Sequence, residues 1–187
     1  MKNFAFSTKG YSESFCHAVE FILIAEGALY PNGKARPGLG YVNDPKDAGG
    51  ETKGGISKRA FPSVDIQALT LDKIVRLYHR NYWRVAYCQD WQPATAVLMF
   101  DAAVQHGANQ AIRMLQEIAG TKADGKVGPK TRAAVQSFDQ AYLVARYGLR
   151  RGRFYARIIK KNHTQCRFIE GWHNRLVELT NHAWELI

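Results

Sequence analysis

Residues 12–27, SESFCHAVEFILIAEG, set Phe15, Ala18, Val19, Ile22 and Leu23 at the i, i+3, i+4, i+7, i+8 spacing of one buried helical stripe. Ser12 or Ser14 can cap the start, and Gly27 stands where a C′ glycine stops a helix. Glu26 prolongs the stripe, four residues beyond Ile22 and three beyond Leu23. The pattern predicts a helix over 12–26 that ends in a carboxylate on its inward face. On the helix pattern alone, a solvated glutamate at a frayed end is the ordinary alternative.

Working outward, the next segment changes character. YPNGKARPGLGYVNDPKDAGGETKGG, residues 30–55, carries seven glycines and three prolines and no helical period. It reads as loop and turn, with short strands around 40–43 and 51–56 forming a small hairpin. A long irregular stretch in a compact domain is usually functional or disordered, and its start four residues after the inward Glu26 favours function.

Helical signals follow one another from there. Asp65–Leu69 is a short turn or connection. Residues 71–84 follow a Thr70 cap, and 94–106 are apolar nearly all round and end at Gly107. Further helices are expected over 110–119 from an Asn109 cap to Gly120, and from Pro129 at an N1 position to about Tyr147. Two more cover 150–161 and 165–186, the last capped by Thr164. The fold class is therefore mainly α with a small β-hairpin.

The composition is that of a globular chain of 187 residues with 46% hydrophobic and 22% charged residues. Its 26 Lys and Arg against 16 Asp and Glu leave a formal charge of +10, which draws the chain to anionic partners without choosing among them. Cys16, Cys88 and Cys166 are scattered and odd in number, implying neither a disulfide framework nor a zinc site. The first residues lack a continuous apolar core, and the run at 21–25 is too short to span a bilayer. The expectation is a protein made in the cytoplasm without a signal peptide.

Glycosidic cleavage needs a proton for the leaving oxygen and stabilisation of an oxocarbenium-like centre, for which most glycosidases use two carboxyls. Apolar burial and the negative end of a helix both favour a protonated carboxyl, and Glu26 is placed to receive both. Asp44, Asp47, Glu51 and Thr52 crowd into nine residues behind it. Asp and Gly are also ordinary turn-formers, so turn chemistry alone explains part of that composition. A calcium loop does not match the EF-hand ligand spacing.

Glu26-Gly27, followed by GYVNDPKDAGGETKGGISKRAF over 40–61, closely resembles the signature of glycoside hydrolase family 108, E-G-G-Y-V-N-D-P-x-D-P-G-G-x-T-x-x-G-I. The resemblance implies a lysozyme-like α+β fold and an N-acetylmuramidase of the phage or prophage endolysin kind. The family's catalytic Glu maps onto Glu26. One departure is clear: about a dozen residues are inserted between Glu26 and Tyr41, so that Tyr30 or Tyr41 could be the motif aromatic. Tyr41 fits better, because Val-Asn-Asp-Pro follows it directly. Glu51 is the rival for the acid role. By analogy with phage-type lysozymes, Asp47 would be the second carboxylate, with Asp44 as a substitute, and Thr52 would position the attacking water.

The resemblance continues downstream. YHRNYW at 78–83 and FDAAVQHG at 100–107 are similar to further family segments, with Asp101 a candidate for the cleft wall and, as the commoner outcome, a buried Asp satisfied by backbone or arginine. Tyr41, Asp44 and Asp101 are thus the candidate substrate-binding residues. Tyr82 and Trp83 could stack on sugars, although aromatics at helical spacing are more often core. AIRMLQEIAGTKADGKVGPKTRAAV over 111–135 resembles peptidoglycan-binding helical repeats, with Asp124-Gly125 as its turn. The expected organisation is a catalytic region over 1–108, with its hairpin near 39–57, and a helical peptidoglycan-binding-like region over 109–187 packed on it.

The partners implied are peptidoglycan and, given the missing signal peptide, a holin-type protein for release to the wall. The basic run Arg146, Arg150, Arg151, Arg153, Arg157, Lys160 and Lys161 suits an anionic wall polymer or envelope surface, or is simply a solvated face. No recognised nucleic-acid motif accompanies it. No metal or organic cofactor is implied, and a monomer is expected. A same-class alternative is a muramidase serving protein export; one of another class is a wall-binding module without catalysis.

Overall fold

The computed structural model describes residues 2–44 and 50–187. Asp47, expected as the second carboxylate, lies outside the described residues. The chain divides into two compact units, residues 1–81 and 82–187.

The first unit is built on α1 (Glu13–Ala25), as the stripe requires. Phe15, Ala18, Val19, Ile22 and Leu23 are all fully buried. The Ser12 side chain accepts from the Phe15 N–H at 3.2 Å, and Gly27 adopts φ 73°. Its N–H reaches the Ile24 carbonyl and that of Ala28 the Leu23 carbonyl, which together make a Schellman stop. Strands β1 (Thr52–Lys53) and β2 (Ile56–Ser57) pair antiparallel, Lys53 opposite Ile56. The two-residue turn between them is Gly54-Gly55, at φ 54° and 78°, as a type I′ hairpin demands. The hairpin is shorter than expected: the earlier strand is reduced to one bridge, Val42 to Thr52. Helix α2 (Leu71–Tyr78) is capped by Thr70, and its continuation, His79–Trp83, widens to a π turn.

The second unit is helical. Helix α3 (Pro93–His106) is buried from Ala94 to Ala103 and packs against α4 (Ala108–Ile118), α6 (Gln140–Lys161) and α7 (Ile169–Trp184). Three expected boundaries move. Gly107, at φ 83° and ψ 148°, ends α3 and also begins α4, so Asn109 is inside the helix and accepts from Arg113 instead of capping. The helix from Pro129, α5 (Pro129–Gln136), stops well before Tyr147, because Asp139 accepts from the Tyr142 N–H at 3.0 Å and starts α6. That helix then runs through Gly148 and Gly152 without a break. Finally, Asn162 and not Thr164 caps the last segment, which begins as a 3-10 stretch before α7.

Between α4 and α5 the Asp124-Gly125 turn is held by Gln116, which is 1% exposed. Its Nε2 donates to Asp124 Oδ1 and to the Lys126 carbonyl, and its Oε1 accepts from the Gly125 N–H. Among the described residues, no helix is long and apolar enough to cross a membrane.

Candidate active site

Glu26 caps the C-terminus of α1, half-buried, and its N–H still donates to the Ile22 carbonyl at 2.8 Å. The hairpin turn lies directly against it. A Cβ placed on Gly55 would fall 2.8 Å from Glu26 Cγ and 2.2 Å from the Tyr78 hydroxyl. That hydroxyl, fully buried, donates to the Gly54 carbonyl at 2.9 Å. A Cβ on Gly54 would crowd Ile74 Cδ1 at 3.1 Å and Ala28 Cβ at 3.3 Å. The turn therefore needs glycine twice, for positive φ and for space. The strand that carries Thr52 is fixed by this turn two residues later.

The insertion loops out and closes. Leu29 bridges to Ala35, the Tyr30 N–H donates to the Lys34 carbonyl, and the Arg36 N–H returns to the Ala28 carbonyl at 2.9 Å. Arg36 lays its guanidinium 4.6 Å from the Tyr30 ring centroid and donates to the Leu29 carbonyl. After a tight turn over Pro37–Gly40, a Cβ on Gly40 would lie 2.8 Å from the Gly27 carbonyl oxygen. Glu26-Gly27 and Gly40-Tyr41 thus adjoin in space although twelve residues separate the glycines. Tyr41 continues from that junction as the motif requires; Tyr30 is on the inserted loop.

Tyr41 donates its hydroxyl to Glu51 Oε2 at 3.0 Å. Burial, and then the Glu51 carboxylate, hold the phenol above its usual range. Glu51, the rival acid, is therefore tied to Tyr41. Thr52 exchanges backbone hydrogen bonds with Val42, both 2.8 Å, and its hydroxyl makes a long 3.5 Å contact to the Gly50 carbonyl. Asp44 is exposed beside this strand.

Two residues of the first unit escaped the sequence reading. Tyr78 looked like one more apolar-face aromatic, and nothing local signals its hydroxyl. Glu20 is the buried carboxylate of α1, 4% exposed, held by Lys2 and approached by the inserted loop at Gly33. A Lys–Glu pair eighteen residues apart leaves no periodic trace.

Asp101 is in the second unit and is fully buried. Arg151 Nη1 reaches its Oδ2 at 2.6 Å, and Arg175 Nε and Nη2 reach its Oδ1 at 2.9 and 2.8 Å. Burial pushes its pKa up, but the two guanidiniums outweigh that and hold it below the usual carboxylate range. Its carboxylate is used internally, binding α3 to α6 and α7, and it presents no surface to a sugar. Trp83 is likewise buried, edge-on to Phe100. Arg151, counted in the basic run, belongs to this core pair and is 0% exposed. No cluster of ligands suited to a metal ion is found among the described residues.

Residues 19–107 match the Glycosyl hydrolase 108 family model, and residues 110–177 match the Predicted Peptidoglycan domain. No curated protein matches the sequence significantly. Among solved structures, SagA of Brucella abortus is similar over 92% of this chain and 95% of its own, with a TM-score of 0.75 and 26% sequence identity. Residues 19–107 thus carry the glycosyl hydrolase 108 pattern and residues 110–177 that of the predicted peptidoglycan domain, on a lysozyme-like α+β fold; together these support a glycoside hydrolase acting on peptidoglycan.

Proposed function

We propose that the protein is an endolysin-type N-acetylmuramidase, cleaving the β-1,4 bond between N-acetylmuramic acid and N-acetylglucosamine with Glu26 as general acid. The observation that carries this reading is the spatial repair of the motif: Gly40 packs on the Gly27 carbonyl and Gly55 on the Glu26 side chain. The insertion was the one feature favouring a wall-binding module without catalysis. Looped out in this way, it leaves the acid and the hairpin as neighbours, which supports the catalytic reading.

In the reaction, Glu26 delivers its proton to the glycosidic oxygen as the bond to C1 breaks. Asp47 stabilises the positive charge that grows at C1, or orients the water that attacks it. Thr52 holds that water, and the released sugar carries the muramic reducing end. The Schellman stop fixes the backbone of Glu26, and the Gly54-Gly55 turn restricts its side chain.

Turbidity clearing of purified peptidoglycan tests the assignment. Glu26→Gln should reduce the rate by about 10²–10⁴-fold, the usual contribution of a positioned general acid. Equal clearing by both proteins would remove Glu26 from the mechanism. Mass spectrometry of the fragments decides the bond: N-acetylglucosamine at the reducing end would refute the muramidase assignment.

A further inference from the structure

Two adjoining hollows flank the ion pair of Glu117 and Arg150, where α4 and α6 run together. One, of about 590 Å³, has Arg113, Arg157, Lys160 and Lys161 around Phe154 and Ile158. The other, of about 420 Å³, has Arg146 and Arg153 beside Ile118 and Leu149. With Arg150, seven cations border the pair of hollows against a single carboxylate, Glu117. The Arg150 hydrogen bond, with Arg157 and Arg153 nearby, holds that carboxylate below its usual range, so it stays ionised and is already spent on Arg150.

The charge is not balanced internally. Arg150 donates through Nε to Glu117, yet its buried Nη1 has no partner, on a side chain only 10% exposed. An orphaned guanidinium donor at the junction of two cationic hollows calls for an anion. The surroundings narrow its kind. Leu149 stands 69% exposed among the arginines, and apolar side chains lie within both hollows. Single-stranded nucleic acid stacks its bases on aromatic faces. The aromatic that lines the hollows, Phe154, is half-buried and packed against His106, while the exposed Tyr142 ring is covered on one side by Arg146.

We propose that this α4–α6 face docks the protein on an anionic lipid layer, with phosphate headgroups entering the two hollows and Leu149 entering the interface. Long arginine and lysine stems suit that boundary, because they lie along apolar matter while their heads stay at the phosphates. The surface is built from the second unit alone, whereas the proposed hydrolytic residues belong to the first, and the docking does not depend on the hydrolase reading.

The test uses the full-length protein in co-sedimentation with vesicles of phosphatidylcholine alone or mixed with phosphatidylglycerol, at increasing salt. Binding is expected only to the mixed vesicles and should weaken as salt screens it. Arg153→Gln with Arg157→Gln should weaken it about 25-fold, roughly fivefold per basic side chain at an anionic leaflet. Leu149→Gln should weaken it several-fold at unchanged charge. Lys9→Gln with Arg59→Gln removes the same charge from the first unit and should change binding less than about twofold. Equal loss in that control pair would reduce the effect to net charge and overturn the proposal, as would equal binding to phosphatidylcholine. Titration with inorganic phosphate and with a single-stranded oligonucleotide provides the remaining arms. Phosphate bound as tightly as vesicles would make the hollows a site for soluble anions, and tighter oligonucleotide binding would assign the face to nucleic acid; either overturns lipid docking. Because no peptidoglycan is present, failure here leaves the clearing assay unaffected.

Discussion

The two units hold their key carboxylates in opposite ways. Around Glu26 the protein removes side chains: Gly27, Gly40, Gly54 and Gly55, all at positive φ, let backbone press on the helix end and leave the carboxylate half-buried. Around Asp101 it adds them, surrounding a fully buried carboxylate with Arg151 and Arg175. Arg151 in turn is held by Gln105 and the Tyr155 hydroxyl. The carboxylate proposed for chemistry is half-exposed at a helix end, whereas the one that serves architecture is fully buried between two guanidiniums. Location on an apolar helix face does not separate the two roles; what surrounds the carboxylate does.

The sharpest way to break the comparison is Asp101→Asn. The shape is kept, but two guanidiniums lose their counter-charge, one of them completely buried. Removing one partner of such a cluster costs about 3–5 kcal/mol. Urea unfolding followed by circular dichroism should show a loss of that size in the second unit. A loss below about 1 kcal/mol would mean that the cluster is not what joins α3, α6 and α7.

Acid titration probes the same cluster without mutation. Burial, and then the Arg151 charge, lower the His106 pKa from 6.5 to about 4. The folded state therefore resists a proton that the unfolded chain accepts. Stability should be intact above pH 6.5 and fall as pH drops from 6.5 towards 4, by about 3 kcal/mol at most. Asp101, also depressed, adds its loss only below the ordinary carboxylate range. His106→Gln should flatten the upper part of this profile and leave the lower part. An unchanged slope between pH 6.5 and 4 in that variant would exclude His106 as its source.

The contrast also explains what could be read in advance. The glycine-shaped region was legible because glycine needs are local: a C′ stop at Gly27 and a two-residue turn at Gly54-Gly55 are each written within a few positions. The α1 stripe and the near-continuous burial of α3 were legible for the same reason. The closure of Gly40 on Gly27 was not, because it depends on how twelve intervening residues fold back. The Asp101 cluster joins residues fifty and seventy-four positions apart, and no period connects them. Helix boundaries failed where two signals competed. The helix expected from Pro129 to about Tyr147 and the one expected over 150–161 are divided instead at the Asp139 cap. Gly148 and Gly152 lie inside α6, where each costs only about 1 kcal/mol, which the packing of α6 on α3, α4 and α7 offsets.

On the side of the first unit, Gly55→Ala is the next largest perturbation. It forces a Cβ to φ 78° and to within 2.2 Å of the Tyr78 hydroxyl, so about 2 kcal/mol of strain is expected. Activity should fall further than stability, since the same Cβ pushes on Glu26. Combining it with Tyr78→Phe removes the oxygen that clashes, and part of the lost stability should return. If the double variant is no better than Gly55→Ala alone, the steric account of the turn is wrong.

Tyr78→Phe alone is the smallest and most selective change. It deletes one hydroxyl and leaves the ring, the helix and every glycine in place, so global stability should fall by only about 1 kcal/mol, the ordinary net value of one hydrogen bond. That hydrogen bond is nevertheless the visible tie between α2 and the Gly54 carbonyl, and the turn it holds is the one in contact with Glu26. Releasing it should let the turn drift from the acid. The expected signature is a kcat for peptidoglycan clearing reduced several-fold more than the stability change explains, with KM little affected. A proportionate loss in kcat and KM would place Tyr78 in substrate binding, and no loss would show that Gly54-Gly55 holds its position on Glu26 by backbone geometry alone.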